Sequence, residues 1–191
     1  LSAFASANPQ PVGLCLTDRA NVLQVCQDLA ASVGAQVVVT TLGKLRLVKL
    51  ALPAGGTPAA VTAQDFDEHS LKVSDRPSVK ATAKLGYGRN WSVQTSGLAT
   101  GLPASSAAAL GVGVLPVTSS DATVTSVYKL GTQPEQVDTL LVVESDATTE
   151  AARRRDLWKT PRQVYEARYR AHLLLTELGD AITITHARFG L

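Results

Sequence analysis

VKATAKLGYGRNWSVQ, residues Val79 to Gln94, decides how this chain reads. Val79, Ala81, Ala83, Leu85 and Tyr87 stand at odd positions, with Lys80, Thr82 and Lys84 between them. A period of two places the apolar set on one face, so the stretch predicts a half-buried antiparallel strand. Gly86 and Gly88 occupy the polar parity, where a missing side chain points to a bulge or to close approach of another part of the chain. Trp91 and Val93 resume the odd parity, and Tyr87 and Trp91 are expected to anchor the core.

Upstream, residues 1–16 are rich in Ser, Ala and Pro, and Pro9 and Pro11 predict an extended or turn-like lead-in. Thr17 is a suitable N-cap. Val22, Val25, Cys26, Leu29 and Val33 then recur at helical spacing until Gly34 stops the run, which predicts a helix near 18–33. Val37–Thr40 and Lys44–Leu50 flank Gly43 and read as a hairpin. Pro53, Gly55, Gly56 and Pro58 break every period, and a domain boundary is expected there: residues 1–57 as a helix plus hairpin unit, residues 58–191 as a mainly antiparallel β domain.

Downstream, residues 96–120 are dominated by Gly, Ala, Ser, Thr and Pro and predict a flexible surface insertion. Strands are expected at Thr123–Lys129 and Thr139–Glu144. Ala147–Lys159 predicts a helix. Alternation from Tyr165 to Leu173, the Gly179-Asp180 turn and Ile182/Ile184 together predict a C-terminal β-hairpin. The class is therefore α+β, mainly antiparallel β in barrel-like or sandwich-like sheets, with two helices near 18–33 and 147–159.

Composition bounds the function. The 191 residues are 45% apolar but only 5% aromatic, so Ala, Val and Leu must fill the core. A net charge of +2 does not describe a nucleic-acid binder. No apolar run approaches the roughly 18 residues of a membrane span, and a soluble product is expected. The chain has no Met and opens at Leu1 without a charged and then apolar leader, which predicts an excised domain or fragment.

Cys15 and Cys26 are too few for a disulfide framework or a metal site. Cys26 is expected to be buried as a small hydrophobe on the helix's apolar face. Neither cysteine has an evident His base nearby.

Chemistry-bearing residues are sparse. His69, His172 and His186 lack a partner at i+3 or i+4 for a zinc pair, although His172 and His186 could meet across the last hairpin. Asp65-Phe66-Asp67-Glu68 offers oxygen ligands but lacks the glycine and distal Glu of a calcium loop, and reads as a turn or helix cap. Asp75 before Arg76-Pro77 reads as turn chemistry. No nucleophile elbow and no phosphate-cradling glycine loop occurs. A polysaccharide-cleaving pair needs two carboxylates in one cleft, for which Asp65 and Glu144 are candidates. Arg153-Arg154-Arg155, with Lys159 and Arg162, is the one cationic cluster. Successive helical residues point about 100° apart, so it reads as a helix face paired with Glu150 or Asp156, or as a subunit contact. No catalytic, cofactor or metal residue is expected.

In this order, LGYGRNWSVQ, a small-residue stretch, ARRRDLWKTPRQVYEARYRA and LTELGDAITITHARFGL resemble the tail proteins of phage and prophage operons, in particular hubs of the baseplate or tail tip. The likeness spans approximately Val61 to Leu191. It implies β-rich domains that assemble into a ring, typically trimeric, among other tail and baseplate proteins of the virion, put together in the host cytoplasm. It supplies no catalytic residue, and it implies that related chains continue beyond the final RFGL. A structural tail component is therefore the leading expectation. A carbohydrate- or receptor-binding module at the tail tip is the alternative, although Tyr87, Trp91, Trp158, Tyr165 and Tyr169 all stand where packing explains them. A wall- or polysaccharide-degrading enzyme ranks last.

Overall fold

The computed structural model describes residues 2–52, 58–67, 69–131, 133–171, 173, 176–187 and 190. Among these residues the chain forms five α-helices and nine short strands, an α+β arrangement in which no sheet closes into a barrel.

The Val79–Gln94 stretch supplies the central strand of the largest sheet. Number the helices α1 (Ser2–Ala7), α2 (Val22–Ser32), α3 (Ala104–Leu110), α4 (Ala122–Tyr128) and α5 (Glu144–Trp158). The strands are β1 (Ala35–Val39), β2 (Leu45–Lys49), β3 (Ala59–Val61), β4 (Lys72–Asp75), β5 (Thr82–Tyr87), β6 (Leu115–Ser120), β7 (Gln136–Asp138), β8 (Val164–Glu166) and β9 (Ile182–Ile184). β5 lies between antiparallel β6 and parallel β7, and α5 packs across β5 and β6. Leu85, between Val117 and Val137 in register, is one of the most deeply buried side chains. Ala147 and Ala151 are fully buried and let α5 approach closely.

Gly86 is where close approach is real. A Cβ there would meet Asp138 Oδ1 at 2.5 Å and Gln136 Nε2 at 3.0 Å. Its carbonyl accepts from both the N–H (2.8 Å) and the hydroxyl (2.7 Å) of buried Thr139. Trp91 departs from expectation: it is 49% exposed, because the chain leaves the sheet after Tyr87 and Asn90 is bonded to Gly113 and Leu110 instead.

β1 and β2 form the expected hairpin around Gly43. α2 begins later than expected. Asn21 caps it, its side-chain oxygen accepting from Leu23 N at 2.9 Å, while the Thr17 hydroxyl turns to Asp18. The apolar stripe of α2 is buried only toward its C-terminal end, at Ala30 and Val33; Val22, Leu23 and Cys26 are exposed. Cys26 is thus not the core residue its spacing predicts.

Five further expectations are overturned. The lead-in is not extended throughout, since Ser2–Ala7 form helix α1 ahead of Pro9 and Pro11. Residues 96–120 are not a structureless insertion, since they hold α3 and all of β6. Pro116 disguised that strand, and it is tolerated because β6 lies at the sheet edge. Residues 123–129, expected as a strand, fall in helix α4 and its left-handed C-cap Lys129 despite their β-branched content, because Asp121 accepts from Thr123 N and Val124 N and so satisfies the first turn. Residues 139–144 are not a strand but a crosspiece running into α5, buried at Thr139, Leu140 and Leu141 and exposed at Val142 and Val143. Leu140 N donates to Ser32 Oγ, and the carbonyls of Leu140 and Leu141 accept from Gly13 N and Gly88 N. Among the described residues the C-terminal hairpin does not form: β8 pairs antiparallel with β4, and β9 pairs parallel with β3. Alternation gave the strands but not their partners, which lie about a hundred residues earlier.

Two cores result. Ala30, Val33, Ala35, Leu141 and Ala147 form the first, with Val37, Leu47, Tyr87 and Val117 packed on it. Val61, Phe66 and Leu71 form the second, with Tyr165, Ala167, Leu173 and Ile184 around them. Residues 53–57, where the sequence suggests a boundary, lie outside the described residues; the first core draws side chains from both sides of them.

Candidate functional site

The most strongly organised group of charged residues is on α5. Glu150 is 6% exposed and faces three cations. Arg153 donates to its carboxylate through Nε (2.7 Å) and Nη2 (2.8 Å), Arg154 through Nε (2.7 Å), and Lys49 Nζ stands at 4.0 Å. The spare guanidinium N–H groups reach outward: Arg153 Nη1 to the Leu50 carbonyl at 2.6 Å, and Arg154 Nη2 to the Ala31 carbonyl at 2.8 Å near the C-terminus of α2. α5 is thereby latched to α2 and to the chain after β2. Arg155 points elsewhere, to Asp156 and to Ser119 Oγ on β6, as the 100° step requires. Lys159 pairs with Asp156 at 3.0 Å, and Arg162 Nε donates to the Leu157 carbonyl. The cluster is paired as the sequence suggests, but it is half-buried and structural rather than a solvated face.

Electrostatics follow from this geometry. Burial alone would raise the Glu150 carboxyl, but hydrogen bonds from Arg153 and Arg154, with their charges, hold it below the ordinary 4.5. Burial lowers Lys49, partly offset by Glu150. Asp156 is lowered by its hydrogen bonds from Lys159 and Arg155. Carboxylates depressed in the folded state contribute stability that is fully present above their unfolded values and is lost as pH falls through the folded ones. Melting temperature is therefore expected to stay level from neutral pH down to about 5 and to fall progressively below about 4.5. A thermal melt that rises on acidification would contradict this.

Gly34 ends α2 at φ +70° against this network. A Cβ there would run into the Arg153 guanidinium and lie 2.5 Å from Glu150 Oε1. Gly43 has φ +73° and open space around it. Gly34→Ala is expected to cost about 2–3 kcal/mol and Gly43→Ala about 1, the excess reporting displacement of the ion cluster. Equal losses in urea denaturation would show that the cluster moves aside freely.

The remaining candidates do not converge. Asp65 closes a capping box: Thr62 N and Oγ1 donate to its Oδ2 at 2.7 and 2.9 Å. It belongs with the second core, whereas Glu144 opens α5 beside Tyr87 of the first, whose phenol is raised by burial and, secondarily, by Glu144. Asp75 accepts from Arg76 N, the turn chemistry expected of it. Ser70, beside His69, uses its hydroxyl on the Asp67 and Arg168 backbone. His186 packs edge-on to Phe66. His172 and Glu68 lie outside the described residues, and with them the His172–His186 pairing. Among the described residues no three His, Cys, Asp or Glu side chains gather to hold a metal ion.

No protein-family model and no curated protein matches this chain. The site must be judged on geometry. Among the described residues no helix is long and apolar enough to cross a membrane.

The feature that motif reading missed is an unburied apolar surface. Large hydrophobic side chains stand exposed on α2, on the β1–β2 turn and around Trp91, where Arg89 lies 4.7 Å over the indole ring. The stripe on α2 was legible as a pattern. That half of it would remain uncovered was not.

Proposed function

We propose that this chain is a structural subunit of a phage or prophage tail, a hub component of the baseplate or tail tip that works by assembly and not by catalysis. One observation carries the assembly reading. The chain exposes 13001 Å², whereas a compact monomer of 20.0 kDa exposes roughly 8,700 Å². The surplus includes large apolar side chains that a free monomer would bury. Among the described residues three of the four sheets have only two strands, a size marginal in isolation that gains from neighbours. The tail assignment rests on the ordered likeness of Val61–Leu191 to tail hub proteins. Its partners are then other tail proteins and copies of itself, a trimer on the family pattern, in the virion tail, without specific nucleic-acid recognition.

The test is cofractionation. Tagged chain expressed with the tail genes of its own operon is expected in purified tails, and its deletion is expected to leave tails unassembled. Tails that form normally without it would refute the reading.

A second reading, a carbohydrate- or receptor-binding module, gains from one finding. Trp91 is open to solvent and carries Arg89 on one side, an arrangement that can stack on a sugar ring. Binding on a glycan array that Trp91→Ala abolishes would favour it over a purely structural role.

A further inference from the structure

In the largest sheet, an uncovered stretch of strand lies beside a concentration of positive charge. β7 reaches only part of β5: their pairing runs from Lys84↔Gln136 to Gly86↔Asp138, and Thr82 and Ala83 have β6 alone as a strand partner. The Ala81 carbonyl accepts from Asp121 N on the β6 side, and the Gly86 carbonyl accepts from Thr139 N on the β7 side. By the alternation of a strand, Thr82 turns its backbone groups to the β7 side, where no strand stands beside it among the described residues. A cleft of about 540 Å³ opens there, between residues 79–83, the segment 130–135 that leads into β7, and α5.

Lys80, Lys84, Arg154 and Arg155 line this cleft against one carboxylate, Glu135. Lys80 and Lys84 have no ion pair among the described residues. Arg154 shares Glu150 with Arg153 and Lys49, while Arg155 shares Asp156 with Lys159, whose second carboxylate is Asp121. The lining charges and their linked partners thus bring seven cations against four carboxylates, a surplus of three. The whole chain carries +2, so the remainder sums to −1 and the positive field is local to this cleft.

We propose that the cleft binds an extended acidic segment of a partner protein, laid beside residues 79–83 as an added strand. Uncovered backbone is matched by another backbone, and the local charge selects acidic side chains. Lys80 and Lys84 share one parity of the strand and stand about 13 Å apart, so carboxylates four residues apart on a neighbouring strand fall opposite them. Trp158, in the last turn of α5, lines the same cleft and offers apolar contact to the residues between the acids. A compact phosphate fits less well, because cations spread over that length do not converge on one group. The end of α5 at the cleft is also its C-terminal one, without the free N–H groups that hold phosphate. Such docking does not depend on the tail assignment.

In the Trp91→Phe chain Trp158 is the single indole. Titration with a peptide of alternating Glu and Val, about ten residues long, is expected to change its fluorescence with a Kd of about 10–100 μM at low salt. Raising salt from about 50 to 500 mM is expected to weaken binding at least ~5-fold. Lys80→Glu with Lys84→Glu is expected to weaken it at least ~10-fold with unchanged circular dichroism, whereas Lys80→Arg with Lys84→Arg retains it. Amide exchange at residues 79–83 is expected to slow on binding. No binding at about 1 mM peptide overturns the proposal, as does binding that the double Glu variant leaves intact. Unchanged exchange at residues 79–83 would overturn the added strand. Displacement of the peptide by inorganic phosphate or an oligothymidylate, at concentrations below the peptide's own Kd, would overturn the choice of an acidic peptide.

Discussion

Glu150→Ala is expected to lower the unfolding free energy by about 3 kcal/mol, the largest loss from any charged residue in this chain. The carboxylate is 6% exposed and is the shared counter-charge of Arg153, Arg154 and Lys49. Removing it leaves three cations around a small void, with no other carboxylate paired to Arg153, Arg154 or Lys49 among the described residues. Breaking a buried pair costs about 3–5 kcal/mol. The lower end applies because the arginine side chains keep a fifth to a quarter of their surface in water. Glu150→Gln retains an acceptor but not the charge, and about 2 kcal/mol is expected. Because Arg153 and Arg154 also hold the Leu50 and Ala31 carbonyls, amide exchange in α2 is expected to quicken in the alanine variant. A loss below about 1 kcal/mol in urea denaturation would show that the network contributes little beyond packing.

Phe66→Ala is expected to cost about 4 kcal/mol, and to do so locally. Phe66 is 2% exposed and centres the second core, with the Tyr169 ring 5.1 Å away and His186 edge-on at 6.1 Å. Val61, Leu71 and Ile184 close the cluster. No side chain of the first core belongs to it. Hydrogen exchange should therefore lose protection at β3, β4, β8 and β9 while β5, β6 and α5 retain it. Uniform loss across both sets would mean that the two cores fold as one cooperative unit.

These expectations depend on contacts that the sequence reveals unevenly. The alternation from Val79 to Tyr87 fixed a strand and its buried parity, because period two is a local property of backbone geometry. Gly43 located the first hairpin for a similarly local reason. The cationic run on α5 was legible as paired, since i,i+3 and i,i+4 spacing places Arg153 and Arg154 beside Glu150. That Glu150 would be buried was not, because its burial is made by Gly34 and Lys49, more than a hundred residues away. α4 shows a readable signal passed over: Asp121 is a capping residue standing before a β-branched run, and the cap outweighed propensity. β6 was hidden by Pro116, which argues against a central strand but not against an edge one.

The sequence by itself determined the α+β class, the central strand, the first hairpin and the two longest helices, because periodicity and glycine placement act over a few residues. The tertiary structure alone decided which strands pair, placing β9 against β3 and β8 against β4. It also decided which apolar positions stay uncovered. Cys26, Leu42 and Trp91 have the hydrophobicity of core residues, but burial depends on what the rest of the chain brings against them, and here it brings too little. LGYGRNWSVQ accordingly divides in two. Its first part, through Tyr87, is packed into the sheet, and the remainder carries Trp91 out to the surface.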